Sequence, residues 1–135
     1  MKPPPFEYVD PRTREEALEH LARWGDDAKV LAGGQSLVPM LGLRLARPAA
    51  VVDINRVGGL DGVREAEGSL RVGALVRQRA LERRAPGLLP LLGAALRHVG
   101  HVPIRTRGTV AGSIVHADPA AELPALLVCL DGAVV

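Results

Sequence analysis

Gly33 and Gly34 separate an aliphatic run, Lys29-Val30-Leu31-Ala32, from a small polar pair, Gln35-Ser36, and a new apolar segment begins at Leu37. Neither glycine carries a Cβ, so the backbone N–H groups lie open beside the Ser36 hydroxyl and the start of a helix. A concave run of donors of this kind suits a phosphate. An ordinary strand-to-helix turn uses the same residues. The pair has neither the full GxGxxG spacing nor the lysine of a phosphate-loop hydrolase, which disfavours that class of enzyme.

A second stretch, Gly108-Thr109-Val110-Ala111-Gly112-Ser113, again sets small residues beside hydroxyls. It too can approach a ligand closely and donate N–H groups. The two loops either close on one diphosphate or are unrelated. Arg105 and Arg107 flank the second loop and meet phosphate or solvent. Asp118 and Glu122 can accept hydrogen bonds from a ribose or a ring N–H. Alternatively, Asp118 caps the turn before Pro119 and Glu122 occupies the first turn of a helix.

His98, His101 and His116 lie near Asp118, but His98 and His101 straddle Gly100 with a spacing that fits a metal pair poorly. They read as surface or loop histidines. Ser113, His116 and Asp118 are too local in sequence to assemble a triad. No general acid or base is assigned.

The elements that must position these residues follow from periodicity and punctuation. Residues 6–10 alternate as a short strand, and Thr13 with Glu16 forms a capping-box signature. Ala17, Leu18, Leu21 and Trp24 then recur at helical spacing up to Gly25. Residues 28–32 and 49–54 read as buried strands, and 36–45 as a short helix that Pro39 can start. That β-α-β-α-β order predicts a small α/β lobe over 1–56. In the second part, 57–135, a hairpin turns at Gly68 and a helical stretch (76–100) breaks around Pro86-Gly87. A loop-rich segment covers 101–122, and a last helix turns at Asp131-Gly132 into the first residues of a strand.

Composition narrows the function. The chain has 135 residues, 47% of them hydrophobic, with Phe6, Tyr8 and Trp24 as its only aromatics. The core is therefore aliphatic, and stacking platforms for nucleic-acid bases are scarce. A net charge of +2 from 17 basic and 15 acidic residues, well interleaved, is no nucleic-acid footprint. The single Cys129, in an apolar run, excludes an internal disulfide and a four-cysteine cluster, and reads as buried and inert. No apolar leader or membrane-length stretch occurs, so a cytoplasmic protein is expected.

Taken together, "AGGQSLVPMLGLRLARPAAVVDI", "GALVRQ" and "GHVPIRTRGTVAGSIVHADPAAELPAL" closely resemble the FAD-binding subunit of the molybdenum hydroxylases. Within that group the similarity is nearest to the medium chain of aerobic-type carbon monoxide dehydrogenase, and it runs from about residue 4 to the end. The resemblance implies the N-terminal part of a PCMH/vanillyl-alcohol-oxidase-type FAD-binding fold, α/β to α+β, with an incomplete second lobe. It maps one FAD loop onto Ala32, Gly33, Gly34, Gln35 and Ser36, flanked by Lys29, Val30, Leu31 and Leu37. A second maps onto Thr109, Val110, Ala111, Gly112 and Ser113, followed by Asp118 and Glu122. Val99 matches a position that contacts flavin in some relatives. Implied partners are a molybdopterin-containing large subunit and a [2Fe–2S] small subunit, from which electrons would reach FAD and then an external acceptor.

Two departures set expectations. The family usually has Gly-Gly where this chain has Ala111-Gly112, and a positive φ at Ala111 would press its methyl against the diphosphate. Relatives also continue well beyond residue 135, so an exposed half-lobe would self-associate into a homo-oligomer. The competing reading is a truncated, non-catalytic binding or interaction module that retains no flavin.

Overall fold

The computed structural model describes residues 2–135, and at position 86 the backbone alone. The chain divides into two compact units, Met1–Leu60 and Asp61–Val135.

The first unit runs β1 (Glu7–Val9), α1 (Arg14–Trp24), β2 (Ala28–Leu31), α2 (Leu37–Gly42) and β3 (Ala50–Asp53), with 3₁₀ turns at Gly25–Asp27 and Ile54–Arg56. The capping box forms: Thr13 Oγ1 accepts the Glu16 N–H at 3.1 Å, and Glu16 Oε2 accepts the Thr13 N–H at 3.3 Å. The Arg12 N–H reaches the same carboxylate oxygen at 2.7 Å. These donors, Arg12 first, hold the Glu16 carboxyl below the usual carboxylate range. Gly25 ends α1 by donating its N–H to the Leu21 carbonyl.

The three strands are parallel in the order β1-β3-β2. Central β3 is fully enclosed, with Ala50, Val51 and Val52 at 0–1% exposure. Register sets Val9, Val52 and Val30 side by side. Ala17, Leu21 and Trp24 of α1 cluster with Val9, Ala28, Val52 and Val57, the packing that drives a parallel βαβ unit together. Two sequence expectations fail here. Leu18, placed on the apolar face by spacing, is 65% exposed. β2, expected to be buried, is an edge strand on which Lys29 and Val30 are exposed. A short aliphatic run does not say whether its strand is central or peripheral.

The second unit opens with an antiparallel hairpin, β4 (Val63–Ala66) and β5 (Ser69–Val72). Its turn residues Glu67 and Gly68 both have positive φ, 53° and 76°, as a two-residue primed turn requires. Five helices follow among the described residues: α3 (Gln78–Leu88), α4 (Pro90–Leu96), α5 (Val102–Arg107), α6 (Val110–His116) and α7 (Glu122–Cys129). Their shared core holds Val76, Leu81, Ala85, Leu92, Leu96, Val99, Val110, Leu123 and Leu126.

Several expectations are corrected in this unit. The helical stretch passes through positions 86–87 and breaks at Leu89, whose extended φ of −149° is what the following Pro90 favours. The segment expected to be loop-rich contains α5 and α6. Residues 132–135 form no strand, and Cys129 is exposed rather than buried. No helix among the described residues is long and apolar enough to cross a membrane.

Candidate functional site

The first glycine loop leaves the carboxyl end of β2, where open parallel sheets bind ligands. The carbonyls of three successive residues in this loop are anchored. Asn55 Nδ2 donates to the Ala32 carbonyl at 2.8 Å, Gln35 Nε2 to the Gly33 carbonyl at 3.0 Å, and the Val38 N–H to the Gly34 carbonyl at 3.1 Å. By contrast, the backbone N–H groups of Gly33, Gly34, Gln35, Ser36 and Leu37 have no hydrogen-bond partner among the described residues. Ser36 stands at the N-cap position of α2 but makes no capping bond through its side chain, so its hydroxyl is also uncommitted. Five donors in a row, on backbone held from behind, form a ready cradle for an anion.

Gly34 makes that shape possible. Its φ is +72°, and a Cβ there would stand 3.1 Å from Val38 Cγ2 and 3.2 Å from Leu31 Cδ1. Lys29 is turned to the surface, its Nζ 3.4 Å from the Asp26 carbonyl. Gln35, expected to meet the cofactor, directs its side-chain amide back onto its own loop.

The second stretch is organised differently. It is stitched to residues 76–78: the Gln78 N–H donates to the Gly108 carbonyl (2.9 Å) and the Val110 N–H to the Val76 carbonyl (3.0 Å). Arg77 Nη1 donates to the Arg107 carbonyl at 2.7 Å, and Gln78 Nε2 to the Thr109 carbonyl at 3.3 Å. Thr109, 2% exposed, spends its hydroxyl capping α6, accepting the Gly112 N–H at 3.1 Å. The Ser113 N–H is engaged by the Thr109 carbonyl. The expected run of open amides therefore reduces, among the described residues, to the N–H groups of Thr109 and Ala111, with Ser113 also in the first turn of α6. Gly112 is small for a local reason: a Cβ there would lie 2.5 Å from Thr109 Oγ1. Ala111 lies inside α6 and is not among the positive-φ residues, so its methyl imposes no backbone strain.

Val99 is buried in the core of its unit, and its carbonyl accepts Arg105 Nη1 at 2.9 Å. Arg105, weighed as a phosphate contact, is 6% exposed and spent internally, on Glu82 Oε2 at 2.9 Å and on the Val99 and Gly100 carbonyls. Arg107 is exposed. Asp118 is exposed and accepts the Ala120 N–H at 2.8 Å, the turn-capping arrangement that competed with ligand binding. Glu122 is half-buried in the first turn of α7. His98, His101 and His116 are exposed, and no cluster of three or more metal-ligating side chains occurs among the described residues.

Sequence reasoning missed Asn55 and Gln78, the side chains that grip the two loops from behind. A signal for the first existed. Asp53-Ile54-Asn55 follows a buried strand, and Asp and Asn in that setting form side-chain-to-backbone turns.

Comparison with known proteins agrees with this architecture. The FAD binding domain in molybdopterin dehydrogenase matches residues 4–135. The alpha subunit of the 6-hydroxypseudooxynicotine dehydrogenase complex of Paenarthrobacter nicotinovorans is 50% identical over 133 residues, covering 97% of this chain and 45% of that protein. The carbon monoxide dehydrogenase medium chain of Hydrogenophaga pseudoflava is 40% identical over 97% of this chain and 46% of its own length. A solved carbon monoxide dehydrogenase from the same organism superposes with a TM-score of 0.89 at 42% identity, over 93% of this chain and 45% of that one. The chain thus spans about half the length of the curated relatives it matches. With the match extending over nearly all of its residues, the chain belongs to the family of FAD binding domains in molybdopterin dehydrogenase.

Proposed function

We propose that this chain is the N-terminal part of the flavoprotein component of a molybdenum-containing hydroxylase, and that it holds FAD by the diphosphate. The observation that carries the reading is the run of five amides from Gly33 to Leu37 with no partner among the described residues, on a loop whose positive φ and tight contacts at position 34 favour glycine. A diphosphate supplies the acceptor oxygens that such a run lacks. Ala32 to Leu37 form the principal cradle. In the second loop the Thr109 and Ala111 N–H groups and the Ser113 hydroxyl are the donors left for a ligand, with Val110 and Gly112 shaping the turn. Asp118, with one carboxylate oxygen in a turn, and Glu122 are the groups left to meet a ribose or ring N–H. Val99 acts from within the core, fixing the backbone on which Arg105 closes.

Bound FAD supplies the redox chemistry, accepting electrons and passing them to an external acceptor. This chain's own residues bind and orient it, and none is needed to move a proton. Relatives named as medium chains and as subunits of dehydrogenase complexes support assembly with a molybdopterin-containing large subunit and a [2Fe–2S] small subunit.

Titrating the purified chain with FAD, and reading the flavin absorbance that survives gel filtration, tests the proposal. Stoichiometric yellow protein is the expected result. A colourless chain that ignores added FAD favours the non-flavin interaction module instead.

A further inference from the structure

We infer that Asn55, backed by Asp53 and Tyr8, is a positioning residue that aims the first loop's amides at the cofactor diphosphate. The inference rests on the loop reading above. It adds residues that lie outside the loop and need touch no ligand.

The chain of contacts is continuous. Tyr8 Oη donates to Asp53 Oδ2 at 2.6 Å. The other oxygen of Asp53 accepts both the Asn55 N–H at 2.9 Å and Asn55 Nδ2 at 2.6 Å. The same Nδ2 donates to the Ala32 carbonyl at 2.8 Å. Both neighbours of that nitrogen are oxygens with no hydrogen to give, so the amide can sit only one way round. Register makes the reach possible, since Leu31 pairs with Asp53 across the adjacent strands β2 and β3.

The consequence follows from peptide planarity. No cis peptide occurs among the described residues, and in a trans unit the N–H points opposite to the preceding C=O. Holding the Ala32 carbonyl toward Asn55 therefore turns the Gly33 N–H the other way. Anchoring of the Gly33 and Gly34 carbonyls does the same for the Gly34 and Gln35 N–H groups. Of these three anchors, only Asn55 comes from outside the loop and its helix, and it ties amide direction to the sheet. Tyr8 and Asp53 hold Asn55 in place from the neighbouring strands.

The decisive variant is Asn55→Asp, which keeps size and shape but removes the donor. Wild type and variant are titrated with FAD, and the ¹⁵N–¹H signals of Gly33 and Gly34 are followed together with the thermal midpoint. Wild type is expected to shift both signals on FAD addition. The variant is expected to show displaced Gly33 signals before any FAD is added and an FAD dissociation constant about ten- to a hundredfold weaker. Unchanged signals and affinity in the variant overturn the positioning role while leaving the loop reading intact, even if the thermal midpoint falls. Wild-type amides that ignore bound FAD overturn the loop reading, and this inference with it. Should Asn55→Asp fail to fold, Tyr8→Phe removes only the outermost hydrogen bond. It is expected to weaken FAD severalfold with the same Gly33 displacement, and an unaltered Kd and Gly33 signal in Tyr8→Phe would overturn the relay.

Discussion

Arg105 Nε lies 2.9 Å from Glu82 Oε2, and the two side chains are only 7% and 11% exposed, so an ion pair ties α5 to α3 inside the second unit. Arg79 Nη1 reaches the other Glu82 oxygen at 2.6 Å. Arg79 first, then Arg105, holds the Glu82 carboxyl below the usual carboxylate range against the opposing effect of burial. Removing one member of a buried pair strands the other charge. Glu82→Ala is therefore expected to lower the unfolding free energy by about 3–5 kcal/mol, measured by denaturant titration at neutral pH. A depressed carboxyl stabilises above its unfolded pKa and loses that contribution as pH falls through its folded pKa. The gap between wild type and Glu82→Gln should accordingly close on acidification. A gap that persists into strong acid would contradict the assignment.

Tyr8 is the chain's only tyrosine, so its phenolate absorbance reports one residue. Its hydrogen bond to the Asp53 carboxylate, ahead of burial and charge, pushes its pKa up from 10.0 to about 12. The folded chain should titrate well above the same chain in urea, and Asp53→Asn should bring the midpoint back toward 10. Because the folded state keeps this proton longer, the associated stability is present below about pH 10 and disappears as pH rises to about 12. Tyr8 is 53% exposed, so solvent screens the effect and its weight in stability is small.

Gly34→Val places a branched side chain at φ +72°, where a Cβ already meets Val38 and Leu31 within 3.2 Å. Left-handed backbone costs an L-residue roughly 1–2 kcal/mol before any clash. Flavin retention is expected to be lost while far-UV circular dichroism stays close to wild type. Retained flavin would place the diphosphate elsewhere.

Ala111→Gly, which gives the Gly-Gly that the resemblance implies, is expected to leave FAD affinity unchanged. It should cost up to about 1 kcal/mol of stability, because Ala111 is helical. Tighter FAD binding in this variant would show that the methyl crowds the cofactor after all.

Gly112→Ala is expected to cost about 1 kcal/mol by driving Thr109 Oγ1 off its cap. In a Thr109→Ala background, where the cap is already gone, the same substitution should cost much less. Additive costs in that double-mutant cycle would mean that the hydroxyl and residue 112 act independently.

The sequence was most legible where one local rule dominated. Thr13 and Glu16 announced α1, the uninterrupted Ala50-Val51-Val52 marked a buried strand, and the bare pair at 33–34 marked the candidate cradle. It was least legible where distant contacts decide. α5 and α6 are six and seven residues long, too short to show periodicity or to form alone. α5 stands because Arg105 is buried against Glu82 on another helix, and α6 because Thr109 caps it. An arginine flanking a glycine loop looks the same in sequence whether it faces phosphate or a carboxylate in the core. Cys129 shows the converse: an apolar neighbourhood along the chain placed it inside, and the turn of α7 leaves it outside.

In the first unit the last strand to be synthesised lies between the two made before it. Until residues 50–55 emerge from the ribosome, β1 and β2 have no neighbour, and the Ala32 carbonyl has no Asn55 to hold it. The glycine bend therefore lacks its outside anchor in a nascent chain and acquires it in the same step that closes the sheet. A synthetic peptide spanning only the bend would lack that anchor, because the hold on the Ala32 carbonyl belongs to the completed three-stranded layer.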